Sequence, residues 1–276
     1  MSDSDTRATS RLVTEVDTSV PHEARVYDYW LDGRDNYPAD RALGDAIAEL
    51  IPAIATMARA NRAFLGRAVR YVIDDLGITQ FLDIGTGIPT AGNTHEIAQQ
   101  RFPASRVVYV DRDPVVLAHA RALMGGTTEG ATAFIHADVS DPDSVLGHPA
   151  LRETLDLDEP VAIMLVAILM YFRPADNPLQ IVQRLLDAVP PGSVLVITHP
   201  TADFDPQAMA YVVQTSEQSG IPFHPRSKTE TEALFAGTQL LDPGVVPVVT
   251  WRPDVLSGHA PADSAWYWAG VGMKQG

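Results

Sequence analysis

The sequence predicts an α/β fold with a mostly parallel sheet, helices on both faces and an N-terminal helical extension. Strand-like apolar segments alternate with helix-like segments from residue 80 to residue 198. Such alternation is typical of parallel strands joined by right-handed crossovers. The last two β-rich segments are separated by a short gap that contains Pro253, Gly258 and Pro261. No helix fits in that gap, so we expect the final strand to pair antiparallel with its predecessor.

The N-terminal quarter predicts a tail followed by helices. Residues 1–20 are polar and predict a disordered tail, and residues 21–276 predict a single domain with a helical cap at 21–76. Apolar residues at i, i+4 and i+8 give one helical face before Pro52, which breaks or kinks the helix. A second apolar stripe ends before Gly77, which suits the position after a helix C-terminus.

In the alternating region, the strands and helices are predicted from apolar runs and cap residues. Five strands are expected, at residues 80–84, 107–110, 133–137, 161–166 and 193–198. Helices are expected from about residue 94 and at 114–124, 177–189, 206–219 and 228–236, with a helical or irregular stretch at 141–157. Asn93 and Glu96 predict a capping box for the first of these. The two final β-rich segments are 245–251 and 265–273.

Composition excludes several classes of protein. The chain has 276 residues and no cysteine, so disulfides and thiol chemistry are excluded. The longest apolar run, Val161–Phe172, is too short to span a membrane, and the polar N-terminus is not a secretory signal. We therefore expect a soluble, cytoplasmic protein. A net charge of −15 with only two lysines disfavours nucleic acid as a partner.

The most informative segment runs from Phe81 to Thr90. An apolar strand ends in Asp83, two glycines flank Thr86, and a helix follows. Gly85 and Gly87 allow a ligand to approach the main chain, which predicts a nucleotide-type cofactor. The dinucleotide fingerprint requires a third glycine where Thr90 stands, so the segment disfavours NAD.

Aspartates lie at or next to three consecutive strand ends. Asp83, Asp111 and Asp138 are separated by 28 and 27 residues, about one strand–helix–strand unit each. We expect them to line one rim of the sheet, because ligands bind outside the carboxyl ends of parallel strands. Asp111 can accept from ribose hydroxyls, Asp138 from an exocyclic amine, and Asp83 can face an ammonium or sulfonium group. Each could instead serve a local turn.

With these residues in place, the sequence resembles the class I S-adenosylmethionine-dependent methyltransferases. Residues 83–87 match the first motif of that family, acid-x-Gly-x-Gly, and Asp111 and Asp138 match its ribose-binding and adenine-binding acids. The resemblance implies a Rossmann-like, seven-stranded sheet of order 3-2-1-4-5-7-6 with an antiparallel last strand, and S-adenosylmethionine as the cofactor. The predicted cofactor site comprises Asp83, Gly85, Thr86, Gly87, Asp111, Arg112, Asp138, Val139 and Val166.

A narrower resemblance spans nearly the whole chain. Segments 24–30, 33–36 and 82–96 are similar to an actinobacterial methyltransferase family of undefined substrate. The departure from the general motif is Pro89, where glycine is frequent, and proline stiffens the turn. This resemblance implies no acceptor.

The segment from Tyr27 to Tyr37 mixes aromatic residues with a polar turn. Such a composition suits a lid over the cofactor, with Tyr27 covering it, Arg34 reaching a carboxylate and Asn36 in the same site. The alternative is an arm that packs on the domain or on a second subunit of a homo-oligomer.

Catalytic side chains are harder to predict, because methyl transfer mainly requires alignment of the reactants and exclusion of water. His199 and Tyr171 lie where the acceptor is expected, past the fifth and fourth strands, and His95 starts the first helix. The histidines show no metal-binding spacing, so no metal is expected. We expect methyl transfer to an O or N nucleophile of a small molecule; the alternatives are a nicotinamide-dependent oxidoreductase and a non-catalytic binding module.

Overall fold

An eight-stranded sheet forms the centre of the structure. The structure is a computed structural model that describes residues 17–89, 92–113, 116, 126–254 and 260–276. The strands are Gln80–Ile84 (β1), Arg106–Asp111 (β2), Ala131–His136 (β3), Ala162–Val166 (β4), Val194–Pro200 (β5), Thr238–Leu240 (β6), Val246–Pro247 (β7) and Tyr267–Lys274 (β8). The first five strands match the predicted positions to within two residues.

The strand order is that of a doubly wound sheet with one reversed strand. The main path is β3-β2-β1-β4-β5-β8-β6, and β7 pairs with β8 at its side. The pairs among β1 to β5 are parallel, whereas β8 is antiparallel to β5, β6 and β7. The predicted antiparallel final pair is confirmed, but β8 lies mainly along β5, from Val194↔Met273 to Pro200↔Tyr267.

Helices cover both faces of the sheet, as predicted. Within the described residues they are Glu23–Trp30 (α1), Pro38–Leu50 (α2), Ile54–Asp74 (α3), Thr94–Arg101 (α4), Pro142–Leu146 (α5), Pro149–Thr154 (α6), Pro178–Asp187 (α7), Pro206–Gln218 (α8) and Lys228–Ala233 (α9). None of them is long and apolar enough to cross a membrane. The helix predicted at 114–124 and nearly all of the tail predicted at 1–20 lie outside the described residues, and the single-domain division stays a prediction.

The N-terminal region forms three helices rather than two. The predicted break at Pro52 separates α2 from α3, and a further turn at residues 31–37 separates α1 from α2. Asp28 organises this turn by accepting from the Asp35 N–H and from Asn36 Nδ2. Gly77 has a φ of 71° after α3, as a C-terminal glycine requires.

The core has two layers because successive strand residues point to opposite faces. Phe81 and Val107 belong to the layer under α1, α2, α3 and α8, whereas Leu82 and Val108 belong to the layer under α5, α6 and α7. The continuous apolar runs of β1, β2, β4 and β5 are therefore buried on both sides. This packing fixes the carboxyl ends of the parallel strands as one rigid edge.

The last quarter differs most from the prediction. The β-rich segment at 245–251 contains only the two-residue β7 and a turn, because Pro247 interrupts the ladder. The short strand β6 has no apolar run and was not predicted. β6 and β7 both pair with β8, and together they form this edge of the sheet.

Candidate active site

The three strand-end aspartates line one cleft. Asp83 lies in β1, Asp111 ends β2, and Asp138 follows β3, and all three border a cleft of about 360 Å³. This volume lies within the usual range for small-molecule sites. The predicted loop residues Gly85, Thr86 and Gly87 line the same cleft.

Gly85 and Gly87 both have positive φ angles, which favour glycine. Gly85 has a φ of 74°, and a Cβ atom there would lie 2.5 Å from Cδ1 of Ile168, which packs against it. Gly87 has a φ of 64° and would place a Cβ atom in open space. Both backbone conformations strain L-residues, so the loop requires glycine and keeps its main chain accessible.

Asp111 holds the glycine loop in place. Its Oδ2 accepts from the Gly87 N–H at 3.0 Å and its Oδ1 accepts from the Asp113 N–H at 2.9 Å. An ionised carboxylate has about four lone-pair sites, so it can also accept from two ligand hydroxyls. Burial raises the pKa of Asp111, and these two N–H groups oppose that rise.

Asp83 is the most deeply buried of the three acids. Its Oδ2 accepts from Oγ1 of Thr94, the first residue of α4, at 2.6 Å. Burial raises the pKa of Asp83 to about 6, although Thr94 and the nearby Arg62 guanidinium lower it. A cationic ligand group would therefore gain a strongly desolvated partner here.

Asp138 is half-exposed and serves a turn as well as the cleft. Its Oδ1 accepts from the Ser140 N–H at 2.8 Å, and its Oδ2 lies 3.9 Å from an Arg112 nitrogen. Val139 lines the cleft beside it. Asp138 can therefore stabilise this turn and contact a ligand in the cleft at the same time.

Three residues of α3 line the cleft but were not predicted, and two of them, Asn61 and Arg62, are polar. Asn61 and Arg62 approach the side of Asp83, and Arg62 donates to Asn93 Oδ1 at 2.8 Å. Oδ1 of Asn61 and Nε of Arg62 are buried without a hydrogen-bond partner among the described residues. The signal in the sequence was a polar residue, Asn61, on the otherwise apolar face of the helix.

Helix α1 lies over the cleft and is tied to the loop after β2. Tyr27 lines the cleft, and its hydroxyl donates to the Ala58 carbonyl and accepts from Asn61. Glu23 forms an ion pair with Arg112, which also lines the cleft. Burial alone would raise the pKa of Glu23, but His22 and Arg112 outweigh it and lower that pKa.

Two predicted lid residues do not lie at the cleft. Arg34 is exposed and does not line it. Asn36 also lies outside the lining and donates to Asp28 and to the Gly33 carbonyl instead. Arg62 and Arg112, in contrast to Arg34, line the cleft.

Tyr171 and Val166 line the cleft at the end of β4, whereas His199 does not. β5 continues to Pro200, two residues beyond the predicted end, and so places His199 inside the sheet with no exposed surface. His199 Nε2 accepts from Arg226 at 2.7 Å, so its Nδ1 carries the proton that is donated to the Pro200 carbonyl. Burial lowers the pKa of His199 to about 3.

His95 is also buried away from the cleft, against the Tyr109 hydroxyl. Over the residues that the structure describes, no group of three His, Asp or Glu side chains is placed to hold a metal ion.

The site suits a nucleoside that carries a cation and a carboxylate. Asp111 and Asp138 are placed for hydroxyl and amine donors, while Asp83 and Arg62 offer opposite charges near the glycine loop. A model of one methyltransferase family, described as S-adenosyl methyltransferase, matches residues 9–275. The chain belongs to this S-adenosyl methyltransferase family.

Solved structures agree with the assignment of this chain to the methyltransferase family. A DUF574 family protein of Streptomyces avermitilis is 44% identical, with a TM-score of 0.91 over 94% of this chain and 99% of that chain. A candidate methyltransferase of Thermobifida fusca is 40% identical, with a TM-score of 0.86 over 94% and 97% of the two chains. Both organisms agree with the actinobacterial resemblance seen in the sequence.

More distant structures share the fold alone. The mitomycin 7-O-methyltransferase MmcR is 18% identical, with a TM-score of 0.52 over 80% of this chain and 56% of that chain. No curated protein matches the chain.

Proposed function

We propose that this methyltransferase binds S-adenosylmethionine in the cleft and methylates an O or N nucleophile of a small molecule. The observation that carries the proposal is the convergence of Asp83, Asp111 and Asp138 on one cleft beside a loop that requires glycine. The acids face a cationic nucleoside favourably, whereas a pyrophosphate would be repelled by Asp83.

Each end of the cofactor has a partner of matching chemistry. Asp111 would accept from the ribose hydroxyls and Asp138 from the adenine amine, with Val139 and Val166 as apolar walls. Asp83 and Asn61 Oδ1 would accept from the α-ammonium group, and Arg62 would donate to the carboxylate. The unpartnered atoms of Asn61 and Arg62 support this assignment, because buried polar groups normally have partners.

When bound, the cofactor would supply an activated methyl group, which would pass to the lone pair of the acceptor as the carbon–sulfur bond breaks with its electrons left on sulfur and the acceptor loses its proton. The protein residues position the reactants and exclude water. Tyr171 stands at the end of β4 beside the cleft, where it can orient an acceptor.

Isothermal calorimetry with S-adenosylhomocysteine tests cofactor binding. We expect the Asp111→Asn variant to bind roughly 10- to 100-fold more weakly, since it loses hydrogen bonds to a charged group. Asp254→Asn is the matched control, because Asp254 is exposed and pairs with Arg70 away from the cleft. Binding of NADH with no binding of S-adenosylhomocysteine would contradict the proposal and favour an oxidoreductase.

A labelled-methyl assay tests the acceptor. Label from S-adenosylmethionine should enter the small-molecule fraction of a cell extract, and not its protein or nucleic-acid fractions. Tight cofactor binding without transfer to any fraction would instead indicate a non-catalytic binding module.

A further inference from the structure

A second cavity adjoins the cleft on the side of α1. This inner chamber has a volume of about 40 Å³ and lies between α1, α2, α3, α8 and the ends of β4 and β5. Its walls are almost wholly apolar, and three methionines, Met57, Met170 and Met209, contribute to them. This volume is smaller than the roughly 150 Å³ of a cavity that holds benzene, so a ring enters only when the flexible methionine side chains move aside.

The chamber and the cleft share a wall. Glu23, Tyr27 and Tyr171 line both cavities. Pro200 at the end of β5 and Tyr267 at the start of β8 line the chamber and are paired in the sheet. The chamber therefore stands directly beside the cofactor cleft, over the strand ends where an acceptor would approach.

Two tyrosines that line the chamber, Tyr171 and Tyr267, have hydroxyl groups available to a ligand. Tyr267 is only 4% exposed, and neither its hydroxyl nor that of Tyr171 makes a hydrogen bond to the described residues. Burial raises the pKa of both phenols, so both remain neutral donors at neutral pH. Both tyrosines line the chamber, and Tyr171 also lines the cleft, so their hydroxyls can donate to a polar group of a ligand there.

Glu23 is the only acidic side chain at the chamber, and no basic side chain lines it among the described residues. A carboxylate brought into this space would lose its hydration without meeting a basic side chain in the chamber lining. An uncharged body with a hydrogen-bond donor at one end would instead pack on the apolar walls and donate to Glu23.

We propose that the chamber receives the body of the methyl acceptor, which is an uncharged small molecule with an aromatic ring and a hydroxyl or amine nucleophile. Trp30, Phe223 and Tyr267 supply aromatic surface for the ring. Glu23 accepts from the O–H or N–H of the nucleophile at the shared wall and receives its proton as the new bond to carbon forms. This proposal rests on the proposed function, which supplies the methyl group.

The test measures binding of two matched probes by calorimetry with S-adenosylhomocysteine at saturation. One probe is 4-methylphenol, and the other is 4-methylbenzoate, which has the same ring with an anionic group. A ligand of this size is expected to bind with a dissociation constant on the order of 1 mM. We expect 4-methylphenol to bind at least about tenfold more tightly than 4-methylbenzoate, since the carboxylate would lose its hydration among the apolar walls.

Variants of α8 locate the bound probe. Val212→Phe should fill the chamber and weaken 4-methylphenol binding by about tenfold, because Val212 lines it and is 4% exposed. Tyr211→Ala, on the exposed face of the same helix, should leave binding unchanged. Met209→Ala is a second chamber variant that should admit the larger 2-naphthol more tightly than wild type does, and it keeps the test valid if Val212→Phe does not fold.

The outcomes separate the two proposals. Equal binding of the two probes, no 4-methylphenol binding, or no response to either chamber variant would overturn the chamber proposal while S-adenosylhomocysteine still binds. Failure of the wild-type protein to bind S-adenosylhomocysteine would overturn the proposed function instead. The chamber variants should keep their affinity for S-adenosylhomocysteine within about twofold, because they lie outside the cleft lining.

Discussion

Oγ1 of Thr94 donates a hydrogen bond of 2.6 Å to Oδ2 of Asp83 at the base of the cleft. This contact joins the start of α4 to β1 and leaves the carboxylate buried, with a pKa of about 6. Asp83 thus anchors the start of α4, but its buried charge lowers the stability of the free protein.

The first prediction concerns stability against pH. The pKa of Asp83 is raised from 3.8 to about 6, so the native state binds more protons than the unfolded state between these values. Stability due to this group therefore falls as pH rises through that window. Asp83→Asn should stabilise the free protein by up to about 3 kcal/mol at pH 7.5, and the gain should vanish below about pH 4. Urea unfolding across this range measures it.

Cofactor affinity should change in the opposite direction. The same Asp83→Asn variant should bind S-adenosylhomocysteine at least about tenfold more weakly at pH 7.5, because the partner of the ammonium group loses its charge. Asp254→Asn should show neither effect. A variant that is less stable and binds normally would refute the role assigned to Asp83.

The second prediction compares the two loop glycines. Gly87→Ala introduces backbone strain alone, whereas Gly85→Ala also places a Cβ atom 2.5 Å from Ile168. We expect a cost of about 1–2 kcal/mol for Gly87→Ala and roughly 1–3 kcal/mol more for Gly85→Ala. Thermal unfolding monitored by circular dichroism measures both. An Ile168→Ala background keeps only the contact with Cβ of residue 168, at 2.9 Å, so the extra cost should fall, and an unchanged cost would show that the side-chain contact is not its origin.

Strands and helices were predicted correctly where one local sequence pattern determines the structure. Continuous apolar runs ending in aspartate located β1 and β2, because strands buried on both faces need apolar residues throughout. The half-exposed residues of β6 carry no such pattern, since this short edge strand is stabilised by pairing with β8.

The site residues show the same limit. Asp83 and Asp111 were predictable because strand ends meet at one edge of a parallel sheet. Arg62 was not, because its approach to the cleft depends on how α3 packs against distant strands. His199 was placed at the rim by a strand end predicted two residues too early.

The third prediction tests His199 as a structural residue. Its pKa is lowered from 6.5 to about 3, so the unfolded state binds more protons and stability falls as pH drops through this window. The loss should reach about 3 kcal/mol at pH 4.5. Relative to wild type, His199→Gln should therefore gain about that amount between pH 7 and pH 4.5 in urea unfolding.

A matched control and an activity profile complete this test. His136→Gln, at an exposed histidine, should show no comparable gain. The pH profile of kcat/KM between pH 5.5 and 8 should keep its shape in His199→Gln, because both ring nitrogens are already bonded to Arg226 and Pro200. Loss of a profile limb would identify His199 as a base.

The fourth prediction concerns the ion pair between Glu23 and Arg112, which ties α1 across the cleft. Arg112 is half-exposed but Glu23 is only 15% exposed, so Arg112→Met should destabilise the protein by about 1–3 kcal/mol, because it leaves a largely buried carboxylate without its partner. Dissociation of S-adenosylhomocysteine should also become several-fold faster in stopped-flow measurements, because opening of α1 no longer breaks this contact. Arg184→Met is the matched control, since Arg184 is similarly exposed and pairs with Asp143 away from the cleft. Equal dissociation rates in the two variants would mean that α1 does not retain the ligand.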